Sequence, residues 1–335
     1  MPVDDIVCPE REHGTLISAR QTCRTALIGH ARADRRLLCL DTDMGGLESD
    51  FGAALPEQYL DVGIAEANML SIAAGLARGG CRPVAHTMAT FAASRACEQI
   101  KLDIAHHDLP VTIIATHGGF SAGHYGPSHF SLEDLAILRS FPHMTVIVPC
   151  DAYEAELALR AALALGHPAY IRLGRKPTPI LHRARHDFCI GRASLLRPGD
   201  DVTVIAAGPY AVAGALQAAH DLAGEMALRV INMATIKPLD DVVVIAAARE
   251  TAGIITVEEH MSTGGLGGAV AEVVTTFAPC PVLRIGVTGS IPTRVGDEES
   301  LLQACGISSA GIAEAARRLQ AGRGATSPSQ EVRHG

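Results

Sequence analysis

Short runs of β-branched residues alternate with longer stretches of helical period, and this alternation constrains the fold more than any other feature of the chain. Val111–Ala115 and Met144–Val148 are short, apolar, flanked by Pro or Gly, and read as buried strands. Ala67–Arg78 and Asp151–Leu165 carry the helical period, the second with Asp151 at a plausible N-cap and Glu154 in its first turn. Such alternation builds βαβ units and a parallel sheet covered on both faces. A second series starts at Val202–Ala206, continues through Leu228–Ile231 and Gly253–Val257, and ends in a helix around Gly311–Leu319. Between the two series, Gly174 to Arg197 is broken by Pro177 and Pro179 and carries the basic run His182–His186, which reads as a linker. The expected architecture is α/β with mainly parallel sheets. It divides into a domain at about residues 14–180, a smaller one at about 190–320, and a disordered tail over 321–335.

Composition narrows the class. The 335 residues suit two domains, and 48% hydrophobic content is ample for a core. A formal net charge of −8 argues against a nucleic-acid binder, which normally carries a basic face. The apolar stretch around Thr203–Ala219 is interrupted by Gly, Pro and polar residues, so no membrane span is expected. Met1–Gly14 has no apolar run of the secretory type, and the nine cysteines contain no CxxC pair. Both observations fit a soluble, cytoplasmic protein with free thiols.

Three stretches carry candidate chemistry. In Asp61–Met69, Glu66 stands where a strand and turn give way to an apolar helix; alone, it would be a first-turn residue favoured by the helix dipole. Pro83–Gln99 places His86, Thr87, Met88, Phe91, Arg95 and Gln99 around a short strand and helix. Thr116–His129 is a loop with four glycines, Pro127, and the histidines His117, His124 and His129. Loops of this kind on a rigid sheet concentrate function. The loop contains no HExxH, cysteine or carboxylate, so no metal site is expected there. Gly264–Gly268 is not a clean GxGxxG and lacks an acidic residue about 20 positions on; it reads as a close-packed strand-to-helix turn.

Taken in order, the blocks DVGIAEANM, GLARGGCRPVAHTMATF, LPVTIIATHGGFSAGHYGPSHFSLEDLAILRSFPHMTVIVPCD, PAYIRLGR and VEEHMSTGGLGGAV resemble the C-terminal half of transketolases. These are thiamine-diphosphate enzymes that move two-carbon ketol units between sugars. The likeness spans about residues 14–320 and is closest to split forms whose two halves are separate chains. It implies a pyrimidine-binding domain followed by a transketolase C-terminal domain.

By this resemblance Glu66 matches the glutamate that contacts the pyrimidine N1′ of thiamine diphosphate. Sharing a carboxylic group with that nitrogen favours the imino tautomer of the exocyclic amine, which takes the thiazolium C2 proton. Phe91 and Arg95 fall in the block that walls the pyrimidine. Met88 stands where the family often has a stacking aromatic, and its thioether can pack on a ring face. Asp43 matches an acidic position near the cofactor. His129 matches a loop histidine that approaches the substrate and shares proton transfers. Arg20, His117 and Arg175 match positions that hold the sugar phosphate, a plausible clamp of guanidiniums and imidazole. Where the family usually reads Gly-Glu-Asp-Gly-Pro-Thr-His, this chain has Gly123-His124-Tyr125-Gly126-Pro127-Ser128-His129, so Tyr125 replaces an aspartate that contacts the donor sugar.

The family's Mg²⁺ and diphosphate ligands lie in a GDG…Asn segment that this sequence does not contain. The resemblance therefore implies an N-terminal partner subunit supplying that half-site, in an α2β2 assembly acting on sugar phosphates. Rival readings are a deoxyxylulose-phosphate synthase-like activity, a 2-oxoacid dehydrogenase β-like subunit, and a non-catalytic regulatory subunit of the same fold.

Overall fold

The computed structural model describes residues 14–182, 187–289 and 291–325. Two sheets organise them. The first has seven strands in the order Thr235–Lys237, Thr145–Ile147, Ala169–Arg172, Thr112–Thr116, Arg82–Met88, Leu37–Asp41, Tyr59–Asp61. All its pairings are parallel except that of Thr235–Lys237 with Thr145–Ile147. The second sheet runs Val282–Val287, Ile254–Met261, Val202–Ala207, Leu228–Asn232, Ser194–Arg197, parallel but for its last edge strand. The strands expected at Thr112, Thr145, Val202 and Leu228 are present within a residue or two of their expected limits, and the one expected over Gly253–Val257 runs four residues further, to Met261.

Helices cover both faces of the first sheet. On one side, helix Ala19–Ala33 packs beside helix Ala152–Ala164, burying Cys23, Leu27, Ala155 and Leu159 against Val84 and Ile114. On the other, helix Glu66–Arg78 buries Met69, Leu70 and Ala73 in a core that also takes in Ile205, Ile231 and Val270 of the second half. The apolar interior is thus continuous between the two sheets. The last helix runs Ser309–Ala325, into the segment read as a tail; residues 326–335 lie outside the described residues. No helix among the described residues is long and apolar enough to cross a membrane.

The segment read as a linker is partly built into the sheets. Thr178–Pro179 pairs antiparallel with Leu16–Ile17, and Ser194–Arg197 closes the second sheet. Residues 183–186 of the basic run lie outside the described residues.

Asp151 caps helix Ala152–Ala164, accepting from the Glu154 amide at 2.8 Å. Its other oxygen accepts from the Leu181 amide at 2.9 Å, the His182 amide at 3.0 Å and His182 Nδ1 at 2.9 Å. Glu154 accepts from the Cys150 amide at 2.7 Å and from Asn232 Nδ2 of the second half at 2.8 Å. Cys150, Glu154 and His182 come close enough together to suggest a metal, but the carboxylate and the imidazole are already committed to these partners. The knot is a structural ion network.

Burial opposes ionisation of Asp151, but the hydrogen bonds and charge of His182 overcome it and hold the carboxyl down to about 2. Burial likewise works against the His182 imidazolium, and Asp151 and Glu154 reverse that, so its pKa is raised. The Asp151 contribution to stability is present above its unfolded pKa and is lost as pH falls toward 2. The His182 contribution is present below its unfolded pKa and is lost as pH rises through the raised value. Asp151→Ala should cost about 1.5–3 kcal/mol, the worth of hydrogen bonds to a charged group. Urea unfolding between pH 4 and 8 checks this, with the deficit greatest near pH 5.

Candidate active site

Every candidate side chain sits at or beyond the carboxyl end of a parallel strand of the first sheet, or on a helix packed against that edge, where open α/β sheets bind ligands. The turn after Tyr59–Asp61 is shaped by Asp61, whose Oδ1 accepts from the Gly63 amide at 2.8 Å, with Gly63 at φ +70°. Helix Glu66–Arg78 then begins on Glu66 itself, which is 2% exposed. Arg95 Nη1 donates to Glu66 Oε2 at 2.7 Å. Among the described residues no donor reaches Oε1, so the carboxyl has one oxygen held and one available.

From Arg95 a continuous line of contacts leads along the site. The Arg95 guanidinium lies 4.1 Å above the centroid of Phe91, a cation–π contact. Phe91 meets His129 edge-on at 5.3 Å. Tyr125 stacks at 4.9 Å from His129 and 4.0 Å from His124. Arg175 Nη1 donates to His124 Nε2 at 2.9 Å, which requires that nitrogen of the imidazole to be unprotonated. Met88 ends the strand Arg82–Met88 and stands at the start of the short helix that carries Phe91.

At the far end of this line positive groups gather. His117 is buried in the left-handed region at φ +58°, with Nδ1 2.9 Å from the Thr116 hydroxyl. Burial, then the charges of Arg20, Arg175, His124 and His129, push its pKa down to about 4. Burial and the neighbouring Arg24 and Arg175 lower Arg20 as well. Among the described residues no carboxylate pairs with Arg20 or Arg175. Two guanidiniums without a carboxylate partner, beside a neutral imidazole that can donate a hydrogen bond, favour an anion.

Two neighbours of this cluster carry no role in the sequence analysis. Arg24 is one helical turn beyond Arg20 and 3% exposed; its Nη2 donates to the Gly45 carbonyl at 2.9 Å, its Nη1 lies 3.8 Å from Asp50 Oδ2, and among the described residues its Nε has no hydrogen-bond partner. His86, fully buried in the strand Arg82–Met88, has no hydrogen-bond partner among the described residues at either ring nitrogen, and burial, then Arg24 and Arg20, push it down to about 3. The i,i+4 spacing of Arg20 and Arg24 was the available signal.

Asp43 stands apart from the Glu66 group. It is exposed, at φ +56°, and its amide donates to Asp61 Oδ1 at 3.2 Å. The buried carboxylate of that loop is Asp41, which accepts from the Tyr59 hydroxyl at 2.9 Å and from the Thr42 amide at 2.8 Å.

Comparison with known proteins bears on both halves of the chain. Residues 16–179 match the family described as transketolase, pyrimidine binding domain, and residues 191–312 match transketolase, C-terminal domain. The chain is 38% identical over 303 residues to the 6-deoxy-6-sulfo-D-fructose transketolase subunit SqwH of Clostridium sp. (strain MSTE9), covering 90% of this chain and 94% of that one. It is 37% identical to an apulose-4-phosphate transketolase subunit of Phocaeicola vulgatus, covering 81% and 88% of the two chains. Among solved structures, a split gene transketolase in the form of an inactive beta4 tetramer superposes with a TM-score of 0.83 at 37% identity, covering 92% and 99%.

Proposed function

Because this chain belongs to the transketolase family, we propose that it is the C-terminal subunit of a split transketolase, transferring a two-carbon ketol unit between sugar phosphates with a partner subunit. The observation that carries the reading is the half-site itself. A buried glutamate with one free oxygen is joined by an unbroken path of ring and guanidinium contacts to Arg175, which, like Arg20, has no carboxylate partner among the described residues.

The residues present suit thiamine diphosphate. Glu66 Oε1 lacks a donor and would take the pyrimidine N1′, while Arg95 fixes the other oxygen and so the carboxyl plane. Phe91 and Met88 would wall the ring. Once bound, the cofactor supplies the carbanion chemistry that cleaves and forms the ketol bond. Glu66 holds a proton at the ring nitrogen, and His129, packed between Phe91 and Tyr125, exchanges protons with substrate hydroxyls. Arg20, Arg175 and His117 bind the anionic end of the sugar, with Arg24 and His86 forming a deeper layer behind them. Asp43 is proposed to approach the cofactor only once a partner subunit orders its exposed loop.

Nothing in the chain reads as a ligand set for Mg²⁺ and the diphosphate, so both are assigned to an N-terminal partner subunit in an α2β2 assembly. The beta4 tetramer of the similar split gene transketolase, described as inactive, supports that division. The two domains, about 14–180 and 190–320, and a cytoplasmic location complete the proposal.

Titration calorimetry tests the division of the site. The chain alone, given thiamine diphosphate and Mg²⁺, should bind more weakly than about 100 μM, because the charged diphosphate stays in water. Adding the partner should tighten binding by at least about tenfold. Micromolar binding by the chain alone would overturn the split-site reading.

A further inference from the structure

The second half of the chain grips the glycine-rich loop at three places. Glu259, in the strand Ile254–Met261, accepts from the Phe120 amide at 2.7 Å, and its carboxyl fills the space a Cβ on Gly119 would need. Glu298, 2% exposed at the start of helix Glu298–Ala304, accepts from the Ser121 hydroxyl at 2.6 Å and the Tyr210 hydroxyl at 3.2 Å. The Gly296 amide donates to the Gly123 carbonyl at 3.2 Å, and a Cβ on Gly123 would lie 2.5 Å from the Gly296 oxygen. The gripped residues lead directly into His124, Tyr125 and His129, and His117 immediately precedes them.

We propose that Glu259 and Glu298 are positioning residues for the ketol-transfer site, holding the glycine-rich loop from the opposite domain so that its histidines and Tyr125 meet the substrate in register. The inference rests on the transketolase reading for its substrate, but the grip on the loop is a property of the fold. Neither glutamate touches the cation cluster or Glu66 through any contact among the described residues.

The electrostatics make the grip sensitive to pH. Facing the pair are Arg172, Lys176, the Asp134 carboxylate, the Tyr210 phenol and the Cys305 thiol, with Glu258 and Tyr170 beyond Arg172 and Glu299 beyond Tyr210. Arg172 is the main cation, and it is already shared with Asp134 at 3.3 Å and with the Ser131 and Glu259 carbonyls at 3.0 and 2.7 Å. Burial and the charge of Glu298 push Glu259 up to about 8, and burial raises Glu298 as well. At neutral pH the pair therefore retains a proton. A carboxyl whose folded pKa is raised favours the gripped state fully below its unfolded pKa, and that contribution is lost as pH rises through the folded value. As pH rises through about 8 Glu259 loses its proton, negative charge builds up beside Glu298, and the loop should slacken.

Hydrogen–deuterium exchange on the full chain tests this without any need for activity. After correction for base-catalysed chemical exchange, a peptide spanning 118–126 should exchange about tenfold faster at pH 9 than at pH 6 in the wild type. In Glu298→Gln, which removes the repulsion but leaves Glu259 to titrate, the ratio should fall to within about threefold. In the complex with the partner subunit, Glu298→Ala should raise KM for a ketose phosphate about tenfold with kcat within about threefold, and Glu298→Gln should restore KM at pH 7. A pH-independent loop in the wild type, or a Glu298→Ala KM equal to wild type, overturns the proposal. If Glu298→Gln fails to fold, Glu259→Gln and the wild-type pH series decide the same question. Fast exchange at high pH in a chain with no ketol transfer would sink the functional reading and leave the grip standing. Ketol transfer with flat exchange would do the reverse.

Discussion

Glu66→Gln is expected to lower ketol transfer by about 10²–10⁴-fold in the complex with the partner, the span of a positioned acid–base group. The substitution is nearly isosteric, and its amide oxygen can still accept from Arg95 Nη1, so the ion-pair geometry at 2.7 Å has a neutral replacement and the fold should survive. What is lost is the capacity to hold a proton at the pyrimidine nitrogen. Steady-state rates at saturating cofactor, with thermal unfolding as a control, give the answer. A variant that keeps a third of wild-type activity would return Glu66 to the simpler role of a helix-start carboxylate.

Arg20→Ala combined with Arg175→Ala should lower kcat/KM for phosphorylated ketoses by about 10²–10⁴-fold. Each guanidinium contributes roughly 1.5–3 kcal/mol through hydrogen bonds to a charged group, and 1.4 kcal/mol is tenfold. The loss should fall mainly on KM, because a terminal anion is held alike in ground and transition states. Unphosphorylated ketoses should react poorly with the wild type and no worse with the double variant. Running the comparison on donors that differ in configuration beside the transferred unit also examines Tyr125. A phenol stacked between His124 and His129 offers a neutral donor–acceptor where the family usually has an anion, so the preferred donor should depart from the standard pentose phosphate pair. Equal rates on phosphorylated and free sugars would show that the cation cluster serves some other anion.

The places of these candidate residues in the fold were legible in the residue order because they depend on local structure, while their roles came from the resemblance. Glu66 begins its helix, the glycine-rich loop follows its strand, and Asp151 caps its helix as periodicity and capping rules require. The part that stayed hidden depends on contacts distant in sequence. His86 looks like any polar residue beside a strand until burial removes every partner, and Arg24 gains meaning only beneath the loop at Gly45. Glu259 and Glu298 lie more than 130 residues beyond the loop they hold, as the separations of 139 and 177 residues show. No period or spacing announces a pairing at that range. The same limit concealed the three-residue strand at Thr235, too short to carry a pattern.

That short strand has a further consequence. Thr235–Lys237 crosses from the second half of the chain to finish the first half's sheet, where it covers the edge of Thr145–Ile147. An uncovered edge of buried β-branched residues would invite pairing with another molecule. The first domain therefore reaches its finished form only after some sixty further residues beyond its nominal end have been made, as the span from 180 to 237 implies. The two halves, sharing this strand and one apolar interior, are expected to unfold in a single cooperative transition.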